Sequence, residues 1–248
     1  MPLVEDTFDR HLLSFALAYS DLAAVSGSTA LTSIRDAARS VYASDKYKKR
    51  GEFGELLMHG ALVDFFGAET AVSKIFYKDS ANDTVKGFDG VHLVDGPDGV
   101  ELWFGEAKFY SDAASAIDSA VHSLKEHLDA DFLRQEFMLI ARKVDSDWPR
   151  AQEFKSLLAR TRSLDDIVAQ IVMPIFVTYD SLAVNSNAKI TDAYKAQLVS
   201  EAQVVLDRLE AKLDKPLLID VRLILVPLAS KDAFVRLLHK KLKHLQGV

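Results

Sequence analysis

Residues 87–110, GFDGVHLVDGPDGVELWFGEAKFY, restrict the fold more than any other stretch of the chain. Two apolar-rich runs, 88–95 and 100–110, flank the breaker cluster Gly96-Pro97-Asp98-Gly99. That pattern predicts a β-hairpin with a four-residue loop. If Asp95 pairs with Val100, the same antiparallel register sets Asp89 opposite Glu106, and directly opposed residues share one sheet face about 5 Å apart. The strand period of two puts Lys108 on that face as well, roughly 6.7 Å along from Glu106, with Ala107 pointing away.

One face of the hairpin therefore gathers Asp, Glu and Lys. Two close carboxylates repel when ionised and seldom share a protein interior without a cation, so the pair points to a hard divalent ion such as Mg²⁺. A lysine beside them can handle a water. The plainer reading is a solvated strand end carrying a Glu-x-Lys surface ion pair of little energetic value. The neighbours favour the site: Leu102, Phe104 and Tyr110 share the face of Glu106, and Val91 and Leu93 share that of Asp89. Asp95 and Asp98 read as turn residues.

The rest of the composition bounds the protein class. A chain of 248 residues, 49% hydrophobic, is long enough for one sizeable core and short for two large domains. The absence of cysteine excludes disulfides and thiolate zinc sites, and the seven histidines have no HExxH spacing. The start MPLVEDTFDR is acidic where a secretory leader is basic, and no apolar run approaches membrane-spanning length, so a soluble cytoplasmic protein is expected. A net charge of −6 argues against coating nucleic acid by bulk electrostatics, and a nucleic-acid enzyme this acidic would depend on a partner to bring it substrate.

Taken in order, residues 5–44 read as helices broken at Ser26-Gly27-Ser28, and residues 1–45 as an N-terminal helical extension. The basic run DKYKKR, 45–50, is a candidate phosphate contact. It leads into GEFGELLMHGALVDFFG, an expected amphipathic helix with Glu52, Glu55 and His59 on one side. Placed before the hairpin, this helix can lay Glu55 against the face of Asp89 and Glu106 as a third carboxylate, with Glu52 the alternative and His59 an ordinary helix-face residue. The acidic pair at a helix start also simply complements the helix dipole.

A strand over 72–77, the hairpin, and a helix over 113–128 capped by Ser111 or Asp112 follow. Helical pattern then runs over 131–169 with a break at Trp148-Pro149. Arg134, Arg142, Lys143, Arg150, Lys155, Arg160 and Arg162 make this segment basic and a candidate nucleic-acid footprint. A strand over 171–179, in which Pro174 implies a bulge or an edge, a helix over 192–213, a strand over 217–228 and an amphipathic helix over 232–245 complete an α/β chain.

A helix with Glu55, then Asp89 at a strand start, then Glu106-Ala107-Lys108 in the paired strand, resembles the PD-(D/E)XK restriction-endonuclease-like superfamily of phosphodiesterases. RGEFGELLMHGAL, KGFDGVHLV, ELWFGEAKFY, IVMPIFVTYDS and LILVPL resemble, more closely, the nuclease subunits (HamA) of Hachiman anti-phage defence systems, a likeness running from about residue 50 onward. The resemblance implies a restriction-endonuclease-like core of helix, three-strand meander, helix and further strands over 46–248, with added N-terminal and middle helices.

It further implies that Asp89 and Glu106, with the Ala107 carbonyl, bind catalytic Mg²⁺, for which Mn²⁺ can substitute. Glu55 completes the site and Lys108 orients or activates water. Phe88 stands where the superfamily's name-giving proline would be. The implied activity is hydrolysis of DNA phosphodiester bonds by the effector subunit of a heterodimer with a helicase. A nuclease fold retained as an inactive binding scaffold, and a hydrolase of small phosphoesters, are the competing readings.

Overall fold

The computed structural model describes residues 2–42, 51–73, 75, 87–159, 161–213 and 217–247. The basic run 45–50 and most of the polar loop before the hairpin lie outside these residues. Helices α1 (Pro2–Ala16), α2 (Tyr19–Ala23), α3 (Ala30–Val41) and α4 (Glu52–Phe66) lead into β1 (Glu69–Ser73), β2 (Gly90–Gly96) and β3 (Gly99–Phe109). Then come α5 (Ala113–His127), α6 (Ala130–Lys143), α7 (Ala151–Leu157), α8 (Leu164–Val168) and β4 (Ile171–Asp180). The chain closes with α9 (Leu182–Ser186), α10 (Asp192–Lys212), β5 (Asp220–Leu228) and α11 (Lys231–Gln246).

The five strands lie in the order β1-β2-β3-β4-β5, an antiparallel meander continued by two parallel strands. The mixed sheet with helices on both faces is the expected α/β class and is consistent with a restriction-endonuclease-like fold. The hairpin has the register read from its sequence, Asp95 opposite Val100 and Gly90 opposite Gly105. The ladder runs one pair further than expected, to Gly96 opposite Gly99, leaving a two-residue turn of Pro97 and Asp98. Gly99 takes φ +129°, a conformation closed to most side chains.

Alternation along the strands separates two cores. Trp103, Ala107 and Phe109 of β3, with Phe176 of β4, face a layer of α1, α3, α4 and α11. Val91, Leu93, Leu102 and Phe104 face α6, α7 and α8, while Ile175 and Val177 face α5 and α10. Pro174 produces neither the bulge nor the edge expected of it. Central strand β4 keeps one register with β3 from Trp103–Val172 to Glu106–Ile175, and pairs without interruption with β5. A proline at this position costs the ladder a donor without shifting it.

Helix α4 also departs from expectation. Glu52 through Gly60 are all buried, so its first half is a core helix rather than an amphipathic one. Gly54 makes this possible: a Cβ there would lie 2.8 Å from Phe109 Cβ, so only glycine lets the helix approach β3 so closely. The chain ends are locked to the same layer. The Gln246 amide donates to the carbonyls of Ala38 and Tyr42, and Lys241 pairs with Asp9. Helices α1, α3 and α11 thus spend one side each on one another.

His59 is part of a buried polar chain instead of an ordinary helix face. Its Nε2 lies 2.9 Å from Ser14 Oγ, and its Nδ1 lies 3.2 Å from His92 Nε2 and 3.3 Å from Thr70 Oγ1. His11 packs edge-on to it and bonds Asp64, which also pairs with Arg10. Burial holds His92 down from 6.5 to about 4; burial, then the neighbouring His92 and His11, hold His59 well below its ordinary value. Both rings are neutral in the folded protein at neutral pH.

Because the unfolded chain takes up these protons near pH 6.5 and the folded one does not, their contribution to stability is present above that pH and is lost as pH falls toward 4. The melting temperature is expected to fall between pH 6.5 and 5, and His92→Gln to flatten that fall. Equal slopes in the two proteins would contradict the assignment.

Candidate active site on the hairpin

Asp89 precedes β2, where the chain leaves the ladder. Its N–H donates to the Gly105 carbonyl at 3.0 Å, and its Oδ2 accepts the Ala107 N–H at 2.8 Å. The carboxylate thus takes the place of a backbone acceptor beyond the last β2–β3 pair. In a strand the N–H and C=O of one residue point to the same neighbour, so the Ala107 carbonyl faces the side on which Asp89 lies. Its methyl points to the opposite face, 3.7 Å from the Cβ position of Gly54.

Glu106 and Lys108 project from the Leu102–Phe104 face, as the period of two requires. Asp89 and Glu106 are each 6% exposed and Lys108 is 9% exposed. Lys108 Nζ donates to Glu106 Oε1 at 2.5 Å and to Ser123 Oγ at 2.9 Å. The other Glu106 oxygen lies 3.8 Å from His127 Nδ1. Burial first, and then the charge of Asp89, raise the Glu106 pKa against the opposing pull of Lys108 and Ser123. Asp89 is therefore close enough to Glu106 for the two charges to oppose each other.

The structure brings Asp89, Glu106, Ala107 and Lys108 together, and Glu55 stands in the first turn of α4. Since α4 packs against Ala107 and Phe109, the body of this helix lies on the sheet face opposite the Glu106 side chain. The cause is the apolar, glycine-bearing surface of α4, which suits the odd-numbered residues of β3. Glu52 and Glu55 are both buried in the first turn of α4, Glu55 next to Gly54. Among the described residues no group of three or more His, Asp or Glu side chains is arranged to hold a metal ion.

Asp89 and Glu106 still form a donor pair suited to one. Mg²⁺ takes one or two carboxylates and keeps several waters, so two hard oxygen donors and a backbone carbonyl match its chemistry. An added positive charge would also reverse the mutual repulsion of the pair.

Sequence reasoning passed over Ser123 and His127. They sit four residues apart on α5, beside the apolar stripe of Ala116, Ala120 and Leu124, and so turn together toward Glu106 and Lys108. Polar residues bordering an apolar stripe were the only signal. The His127 ring stacks on Phe132 at 5.0 Å and lies 4.6 Å from the Phe88 ring.

The basic footprint is smaller than its sequence suggested. Arg150 is held by Glu69, Asp95 and Glu153, tying α7 to β1 and the hairpin, and these bonds raise its pKa further. Arg162 donates to the carbonyls of Leu157 and Asp166 and to Gln170. Both arginines hold the fold together; Arg160 lies outside the described residues.

The order helix, antiparallel meander, helix, parallel strands, with a carboxylate pair and a lysine on the central hairpin, defines a mixed α/β protein consistent with a restriction-endonuclease-like fold. The model of the HamA family matches residues 2–242, and the chain belongs to that family. Membership makes it a protein associated with Hachiman defence. No curated protein matches the chain. Among the described residues no helix is long and apolar enough to cross a membrane.

A buried carboxylate whose pKa is raised is a net cost to the metal-free fold at neutral pH. Glu106→Gln keeps an acceptor for Lys108 and removes that cost, so the variant is expected to melt above the wild type in EDTA. A lower melting temperature would show that the Glu106 charge stabilises the fold.

Proposed function

We propose that this protein is a Mg²⁺-dependent nuclease that hydrolyses DNA phosphodiester bonds, acting with a helicase as the effector of an anti-phage system. The observation that carries this reading is the pair Asp89 and Glu106, two buried like charges on one sheet face with an ammonium group beside them. Structural ion pairs rarely need the second carboxylate. Family membership supports the defence setting.

In this reading Asp89, Glu106 and the Ala107 carbonyl hold the cation, which when bound polarises the scissile phosphate and lowers the pKa of a coordinated water. The Ala107 N–H fixes the Asp89 carboxylate, so its orientation is set before substrate arrives. Lys108 holds the attacking water or neutralises charge developing on the phosphate, its three N–H donors allowing it to keep a protein contact meanwhile. Glu55 joins from the first turn of α4, which Gly54 already brings against Ala107. The nuclease domain spans 46–248, with 1–45 as its helical extension. A net charge of −6 suits a subunit to which a helicase delivers DNA.

A binding scaffold without activity is the second reading, favoured by the direct 2.5 Å pairing of Lys108 with Glu106. Cleavage of DNA by the purified protein, alone and with its helicase, in Mg²⁺ and in EDTA, separates the two. Mg²⁺-dependent cleavage is expected, falling by about a hundredfold or more in Glu106→Ala and Lys108→Ala. Cleavage that both variants retain would sink the site, and the absence of cleavage with the helicase present would favour the scaffold.

A further inference from the structure

The Glu106–Lys108 contact raises a difficulty that α5 resolves. Glu106 Oε1 cannot serve as a cation ligand and remain the chief partner of Lys108, so the ammonium needs another anchor if it is to stay in the site. Ser123 Oγ is that anchor, 2.9 Å from Lys108 Nζ and half-buried on a regular helix. Glu106 has its own backing, because His127, stacked on Phe132 and against Phe88, stands 3.8 Å from Oε2. Between a carboxylate so confined and a four-carbon lysine stem, the lysine is the member with freedom to move.

We infer that Ser123 is a positioning residue for the proposed reaction: it retains the Lys108 ammonium in the site when Glu106 is engaged elsewhere, and so directs Lys108 at the reacting water or phosphate. This rests on the nuclease reading above. Without the hydroxyl, Lys108 has only Glu106 to hold it among these contacts, and either follows the carboxylate or swings to solvent. Alanine is a better helix former than serine and threonine keeps the hydroxyl, so α5 should persist in both variants.

The test combines two readouts on the full chain with its helicase: Mg²⁺-dependent DNA cleavage kinetics, and the rate at which Lys108 is reductively methylated in EDTA, followed by mass spectrometry. Ser123→Ala is expected to label several-fold faster at Lys108 and to lose about tenfold or more in kcat with KM unchanged, the loss of a hydrogen bond to a charged group. Ser123→Thr should restore both.

Wild-type labelling and turnover in Ser123→Ala would overturn the role, as would a kcat loss without faster labelling, or faster labelling without a kcat loss. A loss that Ser123→Thr does not restore would also count against it. If the wild type cleaves nothing while labelling follows the expected pattern, the nuclease reading fails and Ser123 is left as a structural contact.

Discussion

The register of the β2–β3 hairpin is the constraint on which the rest depends. With Gly90 opposite Gly105, Asp89 reaches the Ala107 N–H and stands beside Glu106. A slip of one residue would send every side chain of a strand to the other face, burying Glu106 and Lys108 against α4 and exposing Trp103 to α6. Two apolar layers oppose that slip, one on each side of β3. The charged site is thus held by residues that take no part in its chemistry.

Polarity is distributed unevenly about this sheet. On the α4 side, buried histidines are kept neutral and bonded to one another and to hydroxyls, so α1 is joined to the core without a buried net charge. On the α5 side, two carboxylates and an ammonium are buried together, and Glu106 bears the cost as a raised pKa. A fold selected for stability alone would carry a neutral group at that position. The imbalance falls where Asp89, Ala107 and Lys108 converge, and this is the physical ground for placing chemistry there.

Much of this was legible in the sequence because its signals are local. The breaker cluster at 96–99 and the alternation on either side of it specify the hairpin, its register and the shared face of Asp89, Glu106 and Lys108. The side of the sheet taken by α4 was not legible: its first half is buried all round, and Gly54 marks a close approach without saying to which face. Ser123 and His127 look like solvated positions until the sheet brings β3 beneath them. Arg150 looks like a free cation in the chain, since Glu69 and Asp95 meet it only after folding. Pro174 suggested an edge, a penalty that the neighbouring strands absorb.

The central claim is that Asp89 and Glu106 share one divalent cation. Anomalous diffraction from crystals of the protein soaked in Mn²⁺ tests it most directly. The account predicts a peak within bonding distance of both carboxylates and of the Ala107 carbonyl, lost in Asp89→Asn. A protein whose Mn²⁺ peaks all lie elsewhere, with Glu106 still paired to Lys108, would contradict it.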